Sequence, residues 1–218
     1  MKSIRHYLAK SILYILGWET KFPEGLLTIF KIRKQIIVLF SHTSMWDFLF
    51  MVLYTSLEPE VHNKLYILMK PQLWNYWIIG KLVESVGGIK ATKLEESGNL
   101  VDDLYSRFKN ESFILAISPK GKRDIGPWKS GYFHLHNKFD CPIVTVGLDY
   151  TKHCFSHRTM GFHYTVYKTS NTKIENIELM MKRDMGTITP LYPENSEVDL
   201  VEDNPQPSVC GWFKRSNV

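Results

Sequence analysis

The chain is poor in cysteine and has no long apolar run. Its three cysteines, Cys141, Cys154 and Cys210, are an odd number without close spacing. This pattern argues against a disulfide scaffold and favours a reducing compartment. No stretch approaches the roughly 18 apolar residues of a membrane span. The apolar stretch 11–18 is short and no small-residue cleavage site follows it, so we expect neither a transmembrane span nor a signal peptide.

Patterns for binding metal and nucleic acid are missing as well. The pairs His134/His136 and His153/His157 lack a carboxylate or cysteine partner at the spacing of a zinc site, so we expect no bound metal. The basic residues are not interleaved with a platform of aromatic side chains, and no nucleic-acid-binding motif is present. We therefore expect no nucleic-acid partner.

The composition is that of one globular domain, and its charge is concentrated at one end. Hydrophobic residues make up 44% of the 218 residues and charged residues 22%, which suits a single domain with a substantial core. The formal net charge is +5. Residues 1–34 hold seven lysines and arginines against two glutamates, so the rest of the chain is neutral overall.

The first 34 residues resemble a basic amphipathic segment. Apolar residues recur at helical spacing over 3–16, and Gly17 is suited to end the helix. Such a helix can lie on an anionic bilayer, or it can pack on the domain with its charges in water. We therefore predict three parts: the segment 1–34, a main domain over 35–190, and a flexible tail over 191–218.

Beyond residue 34, strand-like and helix-like segments alternate. We predict strands over 35–40, 64–68, 112–117 and 142–148, a hairpin over 153–168, and helices over 44–58, 71–84, 95–109, 128–137 and 172–184. Strands interleaved with helices are typical of an α/β domain. The expected fold is a single domain with a mostly parallel sheet flanked by helices and an N-terminal amphipathic helix.

His42 and Asp47 lie at the junction of the first predicted strand and helix. A histidine held by a carboxylate is a general base that can take a proton from an alcohol. Residues five apart do not face each other on one helix, so His42 must lie on the loop and Asp47 in the first turns. Ser41, Thr43 or Ser44 can cap that helix. A structural histidine–aspartate pair is the alternative, and it would be favoured if this pattern stood alone.

Two cationic loops are expected near this dyad. Segment 87–93 begins with two glycines and carries two lysines, and segment 118–123 carries three cations around Gly121. Open α/β sheets bind ligands at the carboxyl ends of their strands. Backbone N–H groups together with lysine and arginine form phosphate sites. Each loop alone is more simply a solvated turn, but a base beside two cationic loops favours a phosphate-bearing substrate.

Four segments, in order along the chain, resemble the motifs of the glycerophospholipid acyltransferase superfamily, the family of 1-acylglycerol-3-phosphate acyltransferases. They are Ser41-His42-Thr43-Ser44-Met45-Trp46-Asp47, Gly87-Gly88-Ile89-Lys90-Ala91-Thr92-Lys93, Ser118-Pro119-Lys120-Gly121-Lys122-Arg123-Asp124 and Cys141-Pro142-Ile143-Val144-Thr145-Val146. Segments 128–131 and 147–150 resemble those of a compact, mostly bacterial branch. The resemblance covers roughly residues 14–190.

The resemblance implies roles for individual residues. His42 would be the general base and Asp47 would orient it, without a covalent acyl-enzyme. The acceptor's phosphate and the reaction's oxyanion would be held by Lys93, Lys120, Gly121, Lys122 and Arg123. Supporting roles fall to Ser44, Gly88 and Pro119. Lys120 departs from the family pattern, because a glutamate is usual there, and Lys93 stands where an arginine is usual.

The implied activity is transfer of a fatty acyl group to the hydroxyl of a lysophospholipid or related glycerol lipid. The donor would be acyl-CoA or an acyl-carrier protein, and no tightly bound cofactor is expected. The enzyme would act on the cytoplasmic side as a peripheral protein of an anionic bilayer. Two alternatives stay open: a catalytically weak or inactive lipid-binding member of the fold, suggested by Lys120, and a hydrolase of acyl thioesters or lipids.

Overall fold

The computed structural model describes residues 4–18, 20–40, 44–91, 100–121, 127–150, 162–167 and 174–185. These residues contain six strands that form one sheet. The strands are β1 (Gln35–Phe40), β2 (Leu65–Met69), β3 (Gly88–Lys90), β4 (Phe113–Ile117), β5 (Ile143–Leu148) and β6 (Phe162–Tyr167). Their order across the sheet is β3-β2-β4-β1-β5-β6. The first five are parallel to their neighbours, and β6 pairs antiparallel with β5.

Helices of the described residues cover both faces of the sheet. They are α1 (Ile4–Ile15), α2 (Glu24–Ile32), α3 (Met45–Ser56), α4 (Pro59–His62), a 3-10 helix (Pro71–Asn75), α5 (Trp77–Ser85), α6 (Leu100–Phe108), α7 (Gly131–Phe139) and α8 (Ile174–Met185). The predicted fold class, a single α/β domain with a mostly parallel sheet, is confirmed. None of the described helices is long and apolar enough to cross a bilayer.

The central strands are apolar along their whole length because both of their faces are covered. On β1, Ile36 and Val38 pack with α1, α2 and α3, whereas Ile37 and Leu39 pack with α6, α7 and α8. Every residue of β4 and β5 is buried. Continuous burial of this kind is typical of parallel strands between two helical layers.

The N-terminal helix ends where the sequence predicts. Gly17 adopts a positive φ of 78°, the N–H of Trp18 donates to the carbonyl of Leu13 at 2.8 Å, and the N–H of Gly17 donates to that of Tyr14 at 3.1 Å. This pair of bonds is the Schellman ending of a helix, which favours glycine because no Cβ opposes the left-handed backbone. The buried side chains of α1 include Ala9 and Leu13, which belong to the core cluster on the α3 side of the sheet.

Several predicted elements differ from the structure. The single helix predicted over 71–84 is wrong: a 3-10 helix and α5 replace it, separated by the extended backbone of Tyr76 (φ −107°, ψ 108°). Part of the predicted cationic loop 87–93 is a strand: residues 88–90 form β3 and pair with residues 67–69 of β2. Helix α2 was not predicted. Of the predicted hairpin, residues 162–167 form β6, and residues 153–161 lie outside the described residues.

Candidate active site

The carboxyl ends of β1, β4 and β5 lie side by side in the middle of the sheet. Leu39 of β1 pairs with Ile117 of β4, and Phe40 pairs with Val146 of β5. The segments that follow these three strands therefore leave the sheet at the same edge. His42 belongs to the segment after β1, but residues 41–43 lie outside the described residues. The chain returns to the described part at Ser44, the cap of α3.

Asp47 is built into the start of α3. Ser44 is the N-cap, and its hydroxyl accepts a hydrogen bond from the N–H of Trp46 at 3.1 Å. The N–H of Ser44 in turn donates to Oδ2 of Asp47 at 2.8 Å, which completes a reciprocal capping box. Of the three candidate caps in the sequence, Ser44 fills the position. The cap fixes one carboxylate oxygen of Asp47 at the first turn of the helix.

Tyr150 holds the other oxygen of Asp47. Its hydroxyl donates to Oδ1 of Asp47 at 2.8 Å, and both side chains are buried. Hydrogen bonds to an ionised group are stronger than those between neutral groups, so the carboxylate is held from two directions. Sequence reasoning did not assign a role to Tyr150. The available signal was its place two residues after β5, at the same edge of the sheet.

The aromatic rings of Trp18 and Phe50 pack around Tyr150. The ring centroid of Trp18 lies 4.2 Å from that of Phe50 and 5.3 Å from that of Tyr150. Phe50 is on α3, one helical turn after Asp47, and its ring centroid is 6.3 Å from that of Tyr150. The segment that follows α1 therefore packs directly against the side chains that position Asp47.

The loop after β4 is a tight turn. The N–H of Gly121 donates to the carbonyl of Ser118 at 3.0 Å, with Pro119 at a position of the turn where its fixed φ is favoured. Gly121 has a positive φ of 68°. The N–H of Lys129 donates to the carbonyl of Pro119 at 3.0 Å and closes the loop from the other side. Because the N–H of Gly121 is used within the turn, an oxyanion would need other donors.

Lys120 and Ser118 bring polar groups to this loop. Lys120 is 8% exposed, which is unusual for a lysine because burial of an ammonium group is costly. The Ser118 hydroxyl is buried and has no hydrogen-bond partner within the part of the chain that the structure describes. Lys129, which received no role from the sequence, has its ammonium beside Gly121. Lys122 and Arg123 lie outside the described residues.

The second predicted cationic loop has a different form. Its first part is strand β3, which is separated from β4 by β2. Gly88 is a packing residue, because a Cβ there would overlap Cγ1 of Val83. The Lys90 ammonium lies 5.5 Å from the centre of the Trp74 ring. Lys93 lies outside the described residues.

A cavity of about 570 Å³ opens beside β3, lined by residues that include Tyr66, Trp74, Gly88, Lys90 and Arg107. It lies towards the β3 edge of the sheet, whereas Asp47 and Tyr150 are associated with the central strands. The Trp74 indole N–H donates to Glu84 at 2.9 Å. The cavity thus has charged side chains and aromatic rings along its wall.

The cysteine of the fourth motif is not a candidate nucleophile. Cys141 is buried at the amino end of β5. The segments that follow β1 and β4 lie at the opposite, carboxyl ends of the strands. Burial raises the pKa of the Cys141 thiol to about 12, and the nearby Asp140 carboxylate adds to the shift. The thiol therefore stays protonated at neutral pH, and the thiolate is the nucleophilic form.

Comparison with known families agrees with the motifs. A protein-family model described as Acyltransferase matches residues 19–149, more than half of the chain. The match spans the capped start of α3, the turn after β4 and all of the first five strands. No curated protein matches the chain. The protein belongs to the acyltransferase family of the glycerophospholipid acyltransferase superfamily, and acyl transfer is the general activity that this membership supports.

Proposed function

We propose that the protein transfers a fatty acyl group from an acyl thioester to the hydroxyl of a lysophospholipid or another glycerol-phosphate lipid. The observation that carries the proposal is the pair of hydrogen bonds that Asp47 accepts, one from the Ser44 N–H and one from the Tyr150 hydroxyl. A carboxylate fixed in this way, beside the segment that bears His42, is suited to orient a general base. Membership of the acyltransferase family supports the reaction class.

The proposed base is His42. It takes the proton of the acceptor hydroxyl while that oxygen attacks the thioester carbonyl, and Asp47 stabilises the imidazolium that forms. The tetrahedral intermediate then expels the thiolate, breaking the carbon–sulfur bond, and the proton on His42 passes to that sulfur. No covalent acyl-enzyme is involved. The high pKa of Cys141 agrees with a direct transfer.

The proposed acceptor site is the cationic loop after β4. Lys120, Lys122 and Arg123, together with Lys93, hold the acceptor's phosphate, since arginine and lysine are the usual phosphate ligands. The burial of Lys120 supports a role inside the site rather than in water. Because a glutamate is usual at this position in the family, we propose that Lys120 shifts the preference towards acceptors with more negative charge.

The proposed donor is acyl-CoA or an acyl-carrier protein, with no tightly bound cofactor or metal. The acceptor is a membrane lipid, so the enzyme works as a peripheral protein on the cytoplasmic side of an anionic bilayer. Helix α1 supports this placement. Ile4, Tyr7 and Leu8 are exposed, and the helix carries Arg5 and Lys10 without any acidic residue. These are features of an interfacial helix.

An acyl-transfer assay tests the proposal. The protein is incubated with acyl-CoA and lysophosphatidate, the released thiol is measured, and the product is identified by mass spectrometry. We expect product with the wild type and a loss of about 10²–10⁴-fold with His42→Ala, the usual contribution of a general base. Lys120→Glu should change the order of preference among acceptors of different head-group charge.

Other outcomes would point to the alternatives. Thiol release that does not depend on the acceptor would favour a hydrolase. Binding of lysophosphatidate without any turnover would favour a lipid-binding member of the family. Wild-type turnover by His42→Ala would exclude the proposed mechanism, provided that the circular dichroism of the variant matches that of the wild type.

A further inference from the structure

Helix α5 exposes an unusual amount of apolar surface. Between Tyr76 and Leu82, five large apolar side chains are 41–72% exposed; they are Tyr76, Trp77, Ile78, Ile79 and Leu82. Single exposed apolar residues are common on proteins, but contiguous groups of them mark contact sites. Five in a span of seven residues form such a group.

The helix is attached to the domain by a narrow stripe. Its buried residues are Gly80 and Val83. Val83 packs against Gly88 of β3, and Gly88 pairs with Ile67, which belongs to the core cluster on the α3 side of the sheet. Helix α5 therefore lies on the same side of the sheet as α1 and α3. Its remaining sides, including both aromatic residues, face outward.

Helix α1 contacts the carboxyl end of α5. The Arg5 guanidinium reaches the carbonyl of Ser85, the last residue of α5, at 3.5 Å. Arg5 also bonds to Nε2 of His62 at 2.5 Å. The exposed apolar residues of α1 at this end are Ile4, Tyr7 and Leu8. We call these three residues together with Tyr76, Trp77, Ile78, Ile79 and Leu82 the α1–α5 surface.

The charges around the α1–α5 surface are mainly positive. Helix α1 has Arg5 and Lys10 and no acidic residue. On α5, the Lys81 ammonium lies 5.4 Å from the centre of the Trp77 ring. The acidic Glu84 is engaged by the indole N–H of Trp74. A second copy of this surface would oppose cations with cations, whereas anionic lipid head groups would complement them.

The side chains also suit the boundary between lipid and water. Tryptophan and tyrosine combine an apolar ring with a polar group, and they are enriched at membrane interfaces for that reason. Isoleucine and leucine beside them supply apolar area for burial among acyl chains. Apolar area together with cationic charge is the combination that gives stable peripheral binding.

We propose that the α1–α5 surface is the contact of this protein with an anionic phospholipid bilayer, and that α5 supplies most of its apolar area. The inference rests on the proposed function, in which the acceptor comes from a membrane. In this proposal α5, which has no role in the proposed reaction, contacts the membrane together with the basic helix α1. This contact also places the membrane on the side of the sheet that carries α3 and Asp47, so that a lipid acceptor enters from that side.

Vesicle binding of three variants tests this proposal. Vesicles of phosphatidylcholine with phosphatidylglycerol, and vesicles of phosphatidylcholine alone, are sedimented with the full chain. Trp77→Ser/Ile78→Ser should lower partitioning into the mixed vesicles by about tenfold or more. Lys81→Glu should lower binding to the mixed vesicles and leave binding to the phosphatidylcholine vesicles unchanged. The matched control, Leu179→Ser/Met180→Ser, removes two exposed apolar residues of α8 and should bind as the wild type does.

The outcomes separate this proposal from the proposed function. Vesicle binding needs neither acyl donor nor His42, so a chain that binds vesicles but transfers no acyl group would overturn the function alone. Acyl transfer to lysophosphatidate in detergent micelles should survive Trp77→Ser/Ile78→Ser. Wild-type vesicle binding by that variant would overturn the proposal. The proposal would also be overturned if analytical ultracentrifugation without vesicles showed that the wild type is a dimer and that Trp77→Ser/Ile78→Ser is a monomer.

Discussion

Asp47 combines a structural and a proposed chemical role in one side chain. Its Oδ2 completes the capping box of α3, and its Oδ1 accepts from Tyr150. A capping residue is held by the backbone that it caps, so its position varies little. A carboxylate that must orient a histidine benefits from the same restraint, since catalysis depends on sub-ångström placement.

Tyr150 is therefore expected to act as a positioning residue. Tyr150→Phe removes the hydroxyl that donates to Oδ1 of Asp47 and keeps the ring that packs on Trp18 and Phe50. A misplacement of about 1 Å in a catalytic arrangement can lower the rate by about 10²-fold. We expect kcat to fall by about that factor, with the KM for the acceptor unchanged, in steady-state assays of acyl transfer.

Tyr132→Phe is the matched control for this prediction. Tyr132 is also buried, but it lies on α7 on the other side of the sheet, and its hydroxyl has no hydrogen-bond partner within the described residues. Removing that hydroxyl should leave kcat unchanged. If Tyr150→Phe and Tyr132→Phe had the same kcat, Tyr150 would be a packing residue only.

At the residue scale, local patterns were predictable from the sequence and long-range contacts were not. The sequence predicted a cap at Ser41, Thr43 or Ser44, since capping depends on residues within one turn. The hydrogen bond from Tyr150 to Asp47 joins residues 103 positions apart, and no local sequence pattern predicts it. The exposed Lys129 beside Gly121 is a similar case, because it depends on how the loop folds back.

At the scale of the elements, helix α1 is attached to α3 and α4 by polar contacts as well as by packing. Nδ1 of the buried His6 bonds to the carbonyl of Leu57, just after α3, at 2.6 Å. Arg5 bonds to His62, the last residue of α4. Because an arginine is always a donor, the accepting Nε2 of His62 must be unprotonated. The contact between α1 and α4 therefore depends on the charge of His62.

This contact predicts a pH dependence of stability. Burial, together with the positive charge of Arg5, lowers the pKa of His62 from its ordinary value of 6.5. The unfolded chain thus binds the proton at a higher pH than the folded protein does. The contribution of His62 to stability should be complete above pH 6.5 and decline as the pH falls through the lower pKa of the folded state.

Urea unfolding above and below pH 6.5 measures this effect. His62→Gln keeps an acceptor but cannot bind the proton, so its free energy of unfolding should fall less on acidification than that of the wild type. His134→Gln, at an exposed position of α7, is the control and should behave as the wild type. If the free energy of unfolding fell equally on acidification in His62→Gln and in the wild type, His62 would be excluded as the source of the pH dependence.

Strand β3 and the interruption at Tyr76 were not predicted from the sequence, for the same reason. Strand β3 has only three residues and begins with glycine, so its apolar pattern is too short to identify a strand. It forms because residues 88–90 pair with β2 and Val83 packs on Gly88. The interruption at Tyr76 arises from the packing of Trp74 against α5. In both places tertiary contacts outweigh local propensity.

At the scale of the whole molecule, the N-terminal residues share the core of the catalytic domain. Ala9 and Leu13 of α1 and Trp18 belong to the same buried cluster as Ile36 of β1 and Phe50 of α3. The sequence predicts a basic amphipathic segment over 1–34 that packs on the domain or leads into it. Within the described residues of this segment, the lysines and arginines are exposed, and most of the buried side chains, such as Leu13 and Leu26, are apolar, as expected for an amphipathic helix.

This shared core predicts that the chain unfolds as one unit. Leu13 is fully buried, whereas Leu8 on the same helix is 59% exposed. Leu13→Ala should lower the free energy of unfolding by about 2–5 kcal/mol, and Leu8→Ala by less than about 0.5 kcal/mol. Denaturant curves followed by far-ultraviolet circular dichroism and by tryptophan fluorescence should coincide for both variants, because a two-state domain gives the same transition with every probe.

Two separate transitions in these curves, or an equal loss of unfolding free energy in the two variants, would mean that α1 is an independent unit. Since Trp18 packs on Tyr150, which holds Asp47, we expect acyl transfer by Leu13→Ala to disappear at the same denaturant concentration as its folded structure.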